Sequence, residues 1–155
     1  MAIELSTAGI KLAYAIETTA GTKPSAFTNI AGVKSLPNLN PEPATLETTS
    51  LNEEVWRTYI DGLKDTGGAL TITFNHTEAF QTTWEGLMDD YKEAKSSGKA
   101  VWWEFYVPGL TKAFFFTGNP SELGFNGAEV GAVLETDVYV VPPGHLGWAT
   151  AVNPT

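Results

Sequence analysis

At 155 residues, 43% of them hydrophobic and 17% charged, the chain suits one domain able to bury a real core without staples. A formal charge of −9 and the absence of Lys and Arg after Lys112 exclude tight nucleic-acid binding, which needs a basic stripe to displace counterions. The lack of cysteine excludes disulfides, cysteine-ligated zinc and thiol catalysis, and no run approaches the roughly 18 apolar residues of a membrane span.

The opening residues lack a basic stretch followed by an apolar core, so no signal peptide is expected and synthesis is expected in the cytoplasm. Residues 1–8 are expected to be a flexible N-terminal arm. Ile10, Leu12, Tyr14 and Ile16 alternate with Lys11, Ala13, Ala15 and Glu17, the period of a strand. Thr18 to Ser25 holds Gly21 and Pro24 and reads as a turn. Phe27 to Leu36 reads as a weaker strand broken by Gly32. Pro37, Pro41 and Pro43 then punctuate a polar linker into a threonine-rich strand, Thr45 to Leu51. A second strand follows at Leu70, Ile72 and Phe74, alternating with Thr71 and Thr73. The stretch between them, about 52–68, reads as a long charged loop, and a loop of that length inside a compact domain is usually functional or disordered.

Phe80, Trp84, Leu87, Met88 and Tyr91 make one stripe of a 3.6-residue helix over about 78–95, packed on the side of a sheet. Asn75 or Thr77 serves as its cap, and Gly98 ends it. Val101 to Val107 and Lys112 to Thr117, joined through Pro108-Gly109, predict a hairpin. Gly118-Asn119-Pro120 reads as a turn, Ser121 to Phe125 as a short strand, and Asn126-Gly127 as another turn. Ala132 to Val141 reads as the last strand, with Leu134, Thr136, Val138 and Val140 on one face and Val133, Glu135, Asp137 and Tyr139 on the other. Residues 142–155 form either a loose terminus or an arm that docks on something. The sum is a mainly β (α+β) single domain, 1–155, built as a sandwich or barrel with one helix.

No catalytic or metal site emerges. His76 and His145 have no second ligand at metal spacing, and there is neither a phosphate loop nor a nucleophile elbow. Glu104 and Glu135 are acid–base partners only if the fold brings them together. No cofactor and no enzymatic activity are expected. The charge level is below the usual quarter of residues, so the surface is rich in Thr, Ser, Asn, Gly and apolar groups, which suits self-association. The alternative is a monomeric β-sandwich binding module, for instance for carbohydrate, using the Trp102-Trp103 pair as a stacking platform.

One block carries a family resemblance. Glu47-Thr48-Thr49-Ser50-Leu51 followed by Tyr59-Ile60-Asp61-Gly62-Leu63-Lys64-Asp65-Thr66-Gly67-Gly68 and an alternating strand resembles the tail tube (major tail) proteins of long-tailed bacteriophages. Gly9-Ile10-Lys11-Leu12-Ala13-Tyr14 and Ile30-Ala31-Gly32-Val33-Lys34-Ser35-Leu36-Pro37 resemble earlier parts of the same family. The sequence departs from the family pattern at Ser50, Asp61 and the doubled Gly67-Gly68. The resemblance implies a tail-tube-like fold, hexameric rings whose sheets join edge to edge, and stacking of the rings into a hollow DNA conduit in the virion tail. It implies further copies of the chain, a tape-measure protein and tail-tip or terminator proteins as partners, with no membrane involved and DNA passing without specific binding. Val55, Trp56, Tyr59, Ile60, Leu63, Lys64 and Asp65 are then candidate contacts between rings or subunits. Glu135 and Asp137, on one face of a strand, are candidate lumen-facing residues.

Overall fold

A computed structural model describes residues 4–40, 43–64, 68–142 and 146–155, without the side chains of Pro43, residues 62–64 and Leu146. Eleven strands and one helix form among the described residues, in two compact units, Met1–Pro37 with Ala69–Thr155, and Asn38–Gly68. In the larger unit, a five-stranded antiparallel sheet has the order β11 (Leu146–Thr150), β8 (Lys112–Thr117), β7 (Val101–Tyr106), β1 (Lys11–Ile16), β2 (Thr28–Ile30). A four-stranded sheet has the order β3 (Val33–Ser35), β6 (Leu70–Asn75), β10 (Glu135–Val141), β9 (Asn119–Pro120). The helix α1 spans Glu78–Ser96. The smaller unit is a hairpin of β4 (Pro43–Glu47) and β5 (Tyr59–Lys64).

The helix stripe packs as its period predicts. Phe80, Trp84, Leu87 and Met88 are buried, joined by Ala94, while Tyr91 at the end of the stripe is half-buried. Phe80 stacks on Phe74 of β6 with ring centroids 4.4 Å apart, and Trp84 meets the same ring at a tilt, 6.2 Å away. Trp84 also reaches Trp103 of β7 at 5.9 Å, so the helix ties one sheet to the other. Thr77 caps the start, its hydroxyl accepting from the Phe80 N–H at 3.2 Å; Asn75 instead belongs to β6. At the other end, the Gly98 N–H donates to Lys95 O and the Lys99 N–H to Ala94 O. These two bonds make a Schellman close, which needs the positive φ of 71° that Gly98 adopts.

The middle of the five-stranded sheet is buried on both faces. Leu12, Val101, Trp103 and Phe116 face the core, held by the registers Tyr14↔Trp103 and Trp103↔Phe116. The opposite face carries a second cluster of Ala13, Ala15, Phe27, Ala113 and Phe115, covered by Trp102, Ala149, Ala151 and Val152. Each large apolar side chain fully buried here stabilises by about 1.5–3 kcal/mol. Two buried carboxylates share that second face. Glu17 accepts from the Gly21 and Ala100 N–H groups and from the Trp102 indole. Glu104, with no exposed surface, accepts from the Val152 N–H at 3.0 Å. Burial lifts its carboxyl above the usual carboxylate range, an effect countered by that hydrogen bond and by Lys23. The Lys23 ammonium sits over the Phe115 ring at 3.3 Å.

Short connections carry the chain from one sheet into the other. β2 passes to β3 through Gly32, whose φ of 87° favours glycine. β8 passes to β9 through Gly118, where an added Cβ would lie 2.4 Å from Val140 Cγ1 and 3.3 Å from the Trp103 indole nitrogen. A side chain there cannot coexist with the core, so the corner needs glycine.

The structure departs from the sequence reading in several places. The stretch 52–68 is not one long loop, because Tyr59–Lys64 forms β5 and pairs with β4; Thr45 to Leu51 contributes its first residues to β4, and the pairing begins earlier, at Pro43. Phe27 to Leu36 is two strands in two different sheets. Asn119–Pro120 is a short strand rather than a turn, and 121–125 is irregular. The strand expected over 132–141 begins only at Glu135. It is not the last one: residues 146–150, expected within an arm, form β11 against β8.

Gly118→Ala is expected to destabilise the fold by about 1–3 kcal/mol, the usual penalty for overpacking. Chemical denaturation monitored by tryptophan emission checks it, and a Gly118→Ala, Val140→Ala double variant should recover part of the loss.

Candidate functional site

The hairpin unit is where large apolar side chains meet solvent. Its ladder pairs Thr45↔Asp61, Leu46↔Ile60 and Glu47↔Tyr59, with an irregularity between Pro43 and Thr45. Beyond the strands the two arms stay joined: the Thr48 N–H donates to Thr58 O at 2.7 Å and the Thr58 N–H to Thr49 Oγ1 at 2.9 Å. The tip is shaped by Glu53, whose carboxylate accepts from the Val55 and Trp56 N–H groups at 3.1 and 3.3 Å. Those two bonds hold the Glu53 carboxyl below its usual range.

On this frame Val55 and Trp56 are each 76% exposed, with Tyr59 and Ile60 more than half exposed. These four sequence-predicted residues therefore share one hairpin. Backbone at Leu63 and Lys64 belongs to β5, their side chains fall outside the description, and Asp65 lies outside the described residues. Leu46 and the fully exposed Leu51 belong to the same group and escaped the sequence reading; the opposition of Leu46 to Ile60 becomes visible only once β5 is recognised as a strand. A two-stranded hairpin is marginal alone, and exposed apolar side chains concentrated on one element mark a contact surface.

A second exposed apolar group, also missed, lies in the larger unit. Phe125, Val130 and Val133 are largely exposed around an open hollow lined by Asn126–Glu129 and Ala132–Glu135. The signal was composition: from Leu123 to Leu134 the only charged residue is Glu129.

Glu135 and Asp137 lie on the polar face of the four-stranded sheet. Their neighbours Thr136, Val138 and Val140 are buried on the other face, as the alternation predicts. Glu135 pairs with Lys34, and Asp137 accepts from the Thr73 hydroxyl at 2.8 Å. Register places Asp137 opposite Thr73 and Tyr139 opposite Thr71, so this face presents hydroxyls and carboxylates.

The groups considered for chemistry are engaged elsewhere. His76 bridges the Thr136 hydroxyl through Nδ1 (2.6 Å) and Gln81 Oε1 through Nε2 (2.9 Å), while His145 lies outside the described residues. Glu104 and Glu135 sit on different sheets with different partners. Trp103 is fully buried and donates to Gly118 O, and Trp102 donates to Glu17, so the pair is not a stacking platform. Among the described residues no group of three or more His, Asp or Glu side chains is placed to hold a metal ion, and no helix is long and apolar enough to cross a membrane.

No protein-family model and no curated protein matches the sequence. Solved structures match it almost end to end. A chain of the six-fold symmetrised baseplate of the anti-feeding prophage shares the fold with a TM-score of 0.63 at 11% identity, over 97% of this chain and 98% of that one. A chain of the tail of an empty gene transfer agent particle, refined helically with C6 symmetry, gives 0.60 at 12% identity, over 95% and 100%. A chain of the tube-terminating cap of the anti-feeding prophage gives 0.58 at 9% identity, over 97% and 95%. The fold is thus one found in phage-tail-like particles.

The Glu53 turn has a defined pH response. A carboxyl held below its ordinary range contributes stability that is present above that range and lost as pH falls through the lowered value. Hydrogen exchange at the Val55 and Trp56 amides should accordingly rise, relative to the intrinsic rate, as the pH falls through that range. In Glu53→Gln the added acid response should vanish.

Proposed function

We propose that the chain is the structural subunit of a phage-type tail tube, assembling as hexameric rings that stack into a hollow conduit for DNA. The observation that carries this reading is the end-to-end likeness to chains of six-fold and helical tail particles, which spans nearly the whole of both partners. The subunit has a structural role in the virion tail and performs no catalysis. Its partners are further copies of itself, a tape-measure protein inside the tube during assembly, and the tail-tip and terminator proteins at its ends.

The hairpin supplies the contact between stacked rings. Leu46, Val55, Trp56, Tyr59 and Ile60 expose apolar area that a neighbouring ring covers, with Leu51 at the tip and Leu63, Lys64 and Asp65 continuing the same segment. A large aromatic anchor surrounded by smaller apolar groups is the usual make-up of an interface hot spot. Repetition around a ring multiplies a modest contact into a firm joint.

The polar face of the four-stranded sheet faces the lumen. Thr71, Thr73, Asp137 and Tyr139 present no cation there, and Lys34 is paired with Glu135. Such a wall repels phosphate and leaves DNA free to slide.

Electron microscopy of the concentrated protein, alone or seeded with its tip complex, tests the assembly; a chain that stays monomeric under both conditions is not a tube subunit. Trp56→Ala is expected to weaken stacking by about 2 kcal/mol or more, a roughly 30-fold rise in the concentration needed for assembly, with the melting profile unchanged. Replacing Glu135 and Asp137 together by Lys should leave assembly competent but slow genome ejection, with the delay relieved by salt as screening shortens to about 8–10 Å. Unchanged ejection from intact double-variant particles would put these residues away from the channel.

A further inference from the structure

The second face of the five-stranded sheet is closed by residues 151–155. After β11, the Ala151 N–H donates to Thr111 O at 3.0 Å, and the Val152 N–H donates to the buried Glu104 carboxylate at 3.0 Å. At the far edge the Thr155 N–H donates to Phe27 O at 3.1 Å and Thr155 O accepts from the Asn29 N–H at 3.0 Å. Those last two bonds are the pattern of a parallel bridge centred on Thr28. The segment therefore crosses the sheet from the β8 side to the outer edge of β2.

The sheet is built low along this path. Ala13, Ala15, Ala113 and Ala149 keep the face shallow, so that Ala151 and Val152 can lie against Phe27 and Phe115. Pro154 is buried. Glu104 occupies the central strand beside an apolar cluster, with Lys23 as its nearby charge, and one of its oxygens serves the segment's backbone. The other oxygen, Oε1, has no partner among the described residues, so the pin is an imperfect one.

A sheet edge exposes backbone donors and acceptors that template pairing with another chain. This sheet has two edges, β11 and β2. We infer that residues 151–155 are a releasable strap that holds the free chain back from strand pairing: through Thr155 they occupy the outer edge of β2 at Thr28, and their release presents that edge to a strand of a second copy of this chain. β11, at the other edge of the same sheet, is the complementary surface, since its outer side carries no strand among the described residues. A contact between unlike edges is heterologous and generates a ring or a helix. The inference rests on the tube reading and adds to it a check on premature growth.

Two variants test it, using light scattering and sedimentation of the whole chain. A chain ending at Thr150 should assemble at a roughly tenfold lower concentration than the full chain. Because loss of the strap also uncovers Phe27 and Phe115, its fold is verified by near-ultraviolet circular dichroism. The second variant keeps the strap. With no native cysteine, Thr28→Cys with Thr155→Cys allows an oxidised lock across the parallel bridge. The oxidised form should remain monomeric at concentrations where the same protein, reduced, assembles. Assembly of the oxidised form at the reduced rate overturns the strap even if the truncated chain does not fold, and leaves the tube reading intact. Failure of every form, including the full chain with its tip complex, sinks both.

Discussion

The structure depends on a sheet that is apolar on both sides. Leu12, Trp103 and Phe116 point one way, while Ala13, Ala15 and Phe115 point the other. Leaving either face in water costs about 25 cal/mol per Å² of apolar area, so the folded chain gives the sheet two covers. The helix and the four-stranded sheet supply one. The segment after β11 supplies the other, and the difference in side-chain size between the two faces sets how thick each cover is. Large aromatics meet a helix; alanines admit a single extended strand of backbone.

Covering the first face also decides the glycine corners. The four-stranded sheet is reached through Gly32 and Gly118, each of which leaves one sheet and enters the other within a residue or two. At Gly118 the backbone passes against Val140 and Trp103, so the connection is short because the core is dense there. Trp103 returns a hydrogen bond to the Gly118 carbonyl at 3.0 Å, which satisfies an indole donor that would be costly to bury alone. The same arrangement leaves the polar face of β6 and β10 turned away from the core, with its threonines and carboxylates in ladder register.

The hairpin unit follows different rules. Its ladder is held by backbone bonds and by threonine hydroxyls, and its apolar residues stay exposed. Glu53 spends its carboxylate on ordering the tip rather than on a partner ion. The hairpin thus holds its apolar groups in solvent on a frame ordered by hydrogen bonds.

Local periodicity determined much of this protein. The 3.6-residue stripe from Phe80 to Tyr91 located the helix, alternation located β1 and β6, and apolar runs flanking Pro108-Gly109 located β7 and β8, because those signals depend only on neighbours in the chain. The buried and exposed faces of β10 were legible for the same reason. The block from Glu47 to Gly68 carried the family resemblance and drew attention to Val55, Trp56, Tyr59 and Ile60. Tertiary structure alone decided the rest. Tyr59–Lys64 is a strand only because Pro43–Glu47 lies beside it, and its own residues, with Asp61 and Gly62, carry weak strand propensity. Leu146–Thr150, with two small residues around Trp148, became a strand because β8 offered an open edge. Glu104 reads in sequence only as a conditional acid–base partner of Glu135, and the fold instead sets it against the Val152 amide. Pairing and burial of this kind join residues far apart in sequence, and no local pattern records them.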